Sequence, residues 1–514
     1  MSHRDFRFLI PLAALFGTSL ETRVEAQGPP PALDITLHPV CAGGPEVTGI
    51  EVRAELRGAS YDGDKRFSVQ AAITYPGVPG IADRIKELVV RDDSGNVSLA
   101  LQDDAAKPGG APYFRHWRAE RATVGPVVLT YRSVPQSTPP VNGPQFSFRA
   151  HHGGLSTAGS GFLGLPEGLD VAVMRVKWDL SGLAPASIAA STFGEGDFSV
   201  TGPPILLTQG FFMAGPLGRY TIDNRPDTFV AYWLGTPSFE PQKEMAWAAE
   251  SYAYQQNFFL GENRSAFRVF VRALPGFGTN VGGTALLNSF MIAIEPGKGD
   301  PSVKAPRQGM SHEMMHMFIG SISGADAGPW FHEGLTDFYT YRLLLRSGLD
   351  SVDSYLKSVN DAATNYYSSP YRNASAAELS QLGFDKGVGT ISPQKVPYLR
   401  GRLYFAMVDA KIHAASKGKR NLDDVIVPLF KKRTAGERFD VPTLVSAFEQ
   451  EYGPDARTDF HSVNVLGETV NPPSEAFGVG FQRRSKVFNV QGKDVQGYEW
   501  IRIPSVSEEQ IRQR

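Results

Sequence analysis

The chain has a single cysteine, Cys41, among its 514 residues. No intrachain disulfide can form, so packing and polar contacts alone must hold the fold together. Long apolar runs are missing as well: the most apolar stretch near the N-terminus, residues 8–20, is too short to span a bilayer as a helix. Neither sign of charge dominates. Lys and Arg total 51 against 53 Asp and Glu, a net charge of −2, which gives no basis for electrostatic capture of nucleic acid or of an anionic membrane. Low-complexity tracts and sequence repeats are absent. What is present is length enough for two to three domains, with 53 Gly and 11% aromatic residues, the composition of a β-rich globular enzyme rather than a disordered chain.

The N-terminus reads as an export signal over residues 1–26. Arg4 and Arg7 precede the apolar run, and Val24, Glu25 and Ala26 offer a small-x-small cleavage site before Gln27. Asp5 and Pro11 fit that pattern less well, and a buried first helix is the alternative. Read as a signal, the segment sends the protein to a periplasm or outside the cell and leaves no stable membrane insertion once it is removed.

Beyond a Pro-rich linker at 28–31, residues 33–39 and 48–56 alternate apolar and polar side chains, the period of a half-buried strand. Similar runs recur at 67–73, 124–131 and 171–180, divided by Gly, Pro and Asp clusters. That spacing predicts an antiparallel β-sandwich over 33–200. His151 and His152 sit within it, but adjacent residues on a strand face opposite ways, so a loop pair is the better reading than a metal site. After 200 the pattern changes: 239–259 has apolar residues at helical spacing with Pro241 placed to start a helix, and strand-like runs follow at 267–274 and 285–294. Past residue 337 the chain is mainly helical to about 450. A closing hairpin is expected within 477–504, and the polar residues 505–514 are expected to fray.

The chemistry concentrates in one stretch. His312, Glu313 and His316 spell H-E-x-x-H. On a helix, residues four apart share a face, so two imidazoles can hold one Zn²⁺ while the Glu between them reaches the attacking water. An amphipathic helix with two His on one side is the plainer alternative. Glu333, seventeen residues past His316, supplies a third candidate ligand at the start of a second helix, and Gly324, Gly328 and Pro329 break the chain between them. Two His and one Glu with a fourth position open is the donor set of a catalytic zinc site, since structural sites fill all four positions with protein. Asp337, one turn past Glu333, can accept the free ring N–H of a bound His, or else be a solvated helix position. His332 is one residue out of phase with Glu333, which argues against coordination.

These residues resemble a family. H-E-x-x-H followed by W-x-x-E-G-x-T is similar to the gluzincin metallopeptidases, most closely the glycyl aminopeptidase family with its thermolysin-like catalytic domain. Upstream, Gly282, Gly283, Thr284 and Ala285 through Ser289 line up with that family's G-G-L-E-H-x-x-S strand. Downstream, Tyr398 through Leu403 resembles its Y-x-K-G-x-L segment. The resemblance covers about 200–472. It implies an α+β multidomain protein, with a thermolysin-like zinc domain of mixed sheet and helical lobe at 201–473 and a hairpin and tail at 474–514. It implies that Tyr398 donates to the oxyanion, although a core aromatic is the alternative, and that the strand carrying Gly282, Gly283 and Ala285 binds peptide as an added strand. Two departures stand out. The spacer before Glu333 is short for this family, and its strand Glu is Ala285 here.

The expected function is therefore zinc-dependent hydrolysis of a peptide or protein substrate, with Glu313 as general base. An inactive extracellular binding scaffold, or a zinc hydrolase acting on a non-peptide amide or epoxide, are the competing classes.

Overall fold

Along Ala32–Cys41 every second side chain turns inward, and Leu33, Ile35 and Leu37 are fully buried, as the alternation requires. The structure, a computed structural model, describes residues 30–513 apart from 62–65, 77, 108–110, 138–143, 224, 226–227, 262–264, 277–281 and 383–391. The expected export signal at 1–26 lies outside the described residues. Contact density divides the chain into two compact units: one takes in the described residues up to Ala246 together with Ser265–Pro306, the other Trp247–Arg264 and Arg307–Arg514. No helix among the described residues is long and apolar enough to cross a membrane.

The first unit is β-rich. Seven strands form one sheet in the order Phe198–Gly202, Ala172–Trp178, Ala32–Cys41, Val47–Arg57, Val127–Ser133, Ile85–Asp92 and Gly95–Asn96. This corrects the antiparallel expectation at one pairing: Ala32–Cys41 runs parallel to Ala172–Trp178, with Ala32 opposite Val173 and Leu37 opposite Trp178. Alternation reports which face of a strand is buried but not its direction, and these partners lie far apart in sequence. A separate five-stranded sheet of the same unit is mixed, ordered Gly218–Thr221, Phe229–Leu234, Phe267–Ala273, Ser289–Ile294 and Gly282–Leu286. The run expected as one strand through Ile294 is a hairpin instead. Asn288 adopts φ 46° at its turn, a left-handed conformation that Asn tolerates better than most residues.

The second unit is helical. Helix α1 spans Pro241–Leu260, starting at the proline, and from Trp247 onward belongs to this unit. It is followed by α2 (Arg307–Met315), α3 (Pro329–His332), α4 (Gly334–Ser347), α5 (Val352–Tyr367), α6 (Ala376–Leu382), α7 (Val396–Ala415), α8 (Asp423–Thr434), α9 (Val441–Tyr452), α10 (Asp455–Phe460) and α11 (Glu508–Arg512). Phe259 stacks on Phe318 and meets Tyr339 and Phe430, forming an aromatic centre among α1, α4 and α8. A buried ion pair, Arg342 to Asp409 at 2.9 Å, ties α4 to α7. The hairpin of Phe481–Val490 and Lys493–Arg502 joins α5 where Asn360 exchanges two hydrogen bonds with the Trp500 backbone.

The tail does not fray as expected. Ser507 and Gln510 form a reciprocal capping box, Ile511 is buried, and Arg512 donates to the carbonyls of Leu345 and Asp350. The S-x-x-Q spacing was in the sequence, and one buried apolar residue is enough to anchor so short a helix.

Candidate active site

Helix α2 exists because Met310, Met314 and Met315 fall on one face and are fully buried. Ser311, also buried, is gripped by Gln255 of α1, whose amide donates to the Ser311 hydroxyl at 2.7 Å and to its carbonyl at 3.2 Å. The helix is thereby fixed in rotation, leaving His312, Glu313 and His316 on its partly exposed side. Helical bonding loosens just past Met315, where Phe318 and Ile319 both donate to the Met315 carbonyl. Gly324 then turns the chain at φ 121°, a conformation costly for any residue with a Cβ. Pro329 starts α3, as a first-turn proline should. Glu333 sits at the joint of α3 and α4, and helical bonding runs through it: its N–H donates to Pro329 and its carbonyl accepts from Asp337.

The three candidate ligands converge. His312 Nε2 lies 3.2 Å from His316 Nε2 and 3.2 Å from Glu333 Oε2, and His316 Nε2 lies 3.4 Å from the same oxygen. Among the described residues this is the one His/Cys/Asp/Glu group arranged to hold a metal ion. The triangle can be tested against zinc. Tetrahedral ligands at about 2.0–2.1 Å from an ion are about 3.3–3.4 Å from one another. The observed edges fit that size, and two imidazoles with a carboxylate are the donors such an ion takes.

The surrounding groups fix the rings. His312 Nδ1 donates to Asp337 Oδ1 at 2.8 Å, the contact that would orient Nε2 toward an ion displacing its proton. Burial opposes charge on His312, yet the Asp337 and Glu333 carboxylates hold its pKa up to about 10. Burial likewise opposes charge on Glu333, but His316, His312 and His332 hold its carboxyl well below the usual range. The site is built to keep a carboxylate ionised. His332, not expected to coordinate, lies 3.4 Å from the other Glu333 oxygen. Thr336, which the sequence reading did not single out, is fully buried, lies 3.4 Å from His316 Nδ1 and donates to the His332 carbonyl. With its own proton so engaged, its oxygen can accept from His316 and does for that ring what Asp337 does for His312. The only sequence signal for it was the T of E-G-x-T.

Glu313 shares α2 with His312, and His316 follows one residue past its end. Burial pushes the Glu313 carboxyl up, while His312 and His316 pull it back. Tyr398 lies in the first turn of α7 with its ring stacked on His312, centroids 6.1 Å apart and planes at 18°. Burial raises its hydroxyl well above the ordinary value, and the Glu333 carboxylate adds to that rise through its charge and a hydrogen bond. Gln394 donates to the same hydroxyl at 3.3 Å, so the phenol proton points toward Glu333. Lys395 is a further residue that the sequence reading missed: its ammonium lies 4.0 Å from the Tyr398 ring centroid. The structure thus brings together His312, Glu313, His316, Glu333, Asp337 and Tyr398. Gly282, Gly283 and Ala285 lie on the strand Gly282–Leu286 at the edge of the mixed sheet, in the other unit.

The family model of the M61 glycyl aminopeptidases matches residues 323–388, a span that includes Glu333, Thr336 and Asp337. An aminopeptidase N family protein from Idiomarina loihiensis superposes with a TM-score of 0.71 at 15% identity, over 88% of this chain and 79% of that one. The chain resembles the gluzincin metallopeptidases and shares their fold. Yeast LTA4 hydrolase matches with a TM-score of 0.50 at 14% identity, over 86% of this chain and 69% of its own. At such identities these structures bear on architecture, a β-rich N-terminal domain followed by a helical region, and not on substrate. No curated protein matches the chain by sequence.

Proposed function

We propose that this protein is an exported zinc-dependent peptidase that does not require a free α-amine on its substrate. The observation that carries the reading is the triangle of His312, His316 and Glu333 with Glu313 on the same helix turn. Zinc held there would supply Lewis acidity for the scissile carbonyl and lower the pKa of the attacking water. Glu313 accepts the water's proton and returns it to the leaving amine, a task suited to a carboxyl whose pKa burial raises. Tyr398 turns its hydroxyl from Glu333 to the oxygen on which negative charge develops. Asp337 and Thr336 keep both imidazoles in the tautomer that leaves Nε2 free.

The relaxed demand on the amine rests on Ala285, which stands where the resembling family carries a Glu that pairs with the substrate N-terminus. Incubating the zinc-loaded protein with a mixed peptide library, with and without a chelator, and reading products by mass spectrometry tests the proposal. Chelator-sensitive cleavage is expected. A library left intact under both conditions would favour the binding scaffold or a non-peptide substrate.

A further inference from the structure

Most charges at the site are matched. Asp337 faces His312, and Glu333 faces His312, His316 and His332. Among the described residues Glu313 and Lys395 form no ion pair of this kind, and no carboxylate lies within ion-pair distance of the Lys395 ammonium, which rests instead over the face of Tyr398, 4.0 Å from the ring centroid. Lys395 is partly buried, at the joint between the short turn Pro393–Lys395 and α7.

A cation over a ring face is held weakly compared with one hydrogen-bonded to a carboxylate. The flexible four-carbon stem lets the ammonium leave the ring without moving the backbone. Burying it further under a bound substrate would be costly unless that substrate brought an anion. Tyr398 meanwhile fixes where such an anion must sit, because its hydroxyl marks the position of the scissile carbonyl in the proposed reaction. The cation therefore stands beside the bond to be cut.

We propose that Lys395 is a specificity-determining residue that pairs with a carboxylate carried by the substrate close to the scissile bond. This rests on the peptidase reading above. The carboxylate has two possible sources, the C-terminus of a short peptide or an acidic side chain next to the cleaved bond, and the chemistry of recognition is the same for both.

The test uses the zinc-loaded full chain and two matched peptide pairs: Ala-Phe-Ala as free acid and as C-terminal amide, and the amides of Ala-Phe-Glu and Ala-Phe-Gln. A charge-assisted hydrogen bond is expected to favour the carboxylate member by about tenfold or more in kcat/KM, mainly through KM. Lys395→Met should bring the ratio near one, Lys395→Glu should invert it, and Lys395→Arg should retain it. Preference within the first pair identifies the C-terminus as the source, and preference within the second identifies the side chain. Calorimetric binding of the same peptides to Glu313→Gln, alone and combined with Lys395→Met, separates this proposal from the reading beneath it. A preference in binding that vanishes with Lys395→Met sustains the role of Lys395 even if no peptide is cleaved. Equal binding of carboxylate and neutral partners overturns it even if all four are cleaved. Zinc content and melting temperature should be unchanged by Lys395→Met; were they to fall, the contrast between Lys395→Arg and Lys395→Glu decides the matter.

Discussion

Gly334 and Gly401 meet backbone to backbone. A Cβ on Gly334 would fall 2.4 Å from the Gly401 Cα, and one on Gly401 would fall 2.2 Å from the Trp330 carbonyl oxygen. No side chain fits between α4 and α7 at that crossing, and the close approach sets Tyr398, one turn before Gly401, against Glu333, which immediately precedes Gly334. Gly401→Ala should therefore push the helices apart. Overpacking of this kind costs about 1–3 kcal/mol, measurable by denaturant unfolding, and turnover should fall with it. Unchanged stability would mean that the crossing relaxes freely and does not set the position of Tyr398.

The purified protein should carry one zinc per chain. Glu333→Ala removes one of three donors and should strip the metal in elemental analysis, whereas Glu313→Ala should keep it and lose turnover. Stoichiometric zinc in Glu333→Ala would show that the third ligand is misassigned.

Tyr398→Phe retains the ring that stacks on His312 and deletes the hydroxyl. Loss of one oxyanion donor typically lowers kcat by about 10²–10³-fold, with little change in KM. A variant with full kcat would leave Tyr398 a packing residue only.

N-acetylated and free versions of one peptide should be cut at comparable rates. A buried charge-assisted hydrogen bond to the α-amine contributes about 1.5–3 kcal/mol, and with Ala285 in place of Glu that discrimination, about one to two orders of magnitude, should be missing. Cleavage confined to the free form would show that another carboxylate binds the amine.

Asp440 links the turn after α2 to α9: it pairs with Ser323 across an isolated bridge and caps α9 by accepting from the Thr443 N–H and hydroxyl. Burial alone would raise its carboxyl, but the Thr443 bonds and Arg438 hold it below the ordinary value. The unfolded chain therefore binds this proton more readily than the folded one. The stabilisation is complete above about pH 4 and is lost as pH falls through the lowered folded value. Unfolding midpoints measured from pH 7 down to pH 3 should fall more steeply for the native protein than for Asp440→Asn, which keeps the cap and loses the charge. Parallel curves would remove Asp440 as a source of acid sensitivity.

The pairs His312 with His316 and Glu333 with Asp337 were legible because each rests on a four-residue spacing, a local property, and the breaks at Gly324, Gly328 and Pro329 let the chain bring the pairs together. Thr336 and Lys395 were not, since their places depend on how a hydroxyl rotates and on which ring a long side chain covers. The β-unit was legible strand by strand, yet the parallel partner of Ala32–Cys41 was hidden because pairing direction is a long-range choice. Asn288 shows the converse: a single residue able to adopt positive φ turned an apparent strand into a hairpin, and apolar periodicity on both sides masked it. The order of the terminal helix rested on a capping signal whose value depends on a neighbour for Ile511.

The Arg512 contact with the end of α4 also bears on the order of events in biosynthesis. Helix α4 follows the candidate ligand Glu333, and its far end, already tied to α8 by the Arg346–Asp423 ion pair, gains the Arg512 contacts only once residue 512 has emerged. Until then the third corner of the ligand triangle sits on a helix whose last turn lacks one of its clasps. A chain stopped before residue 508 should therefore lose its metal to chelators faster than one that carries Arg512.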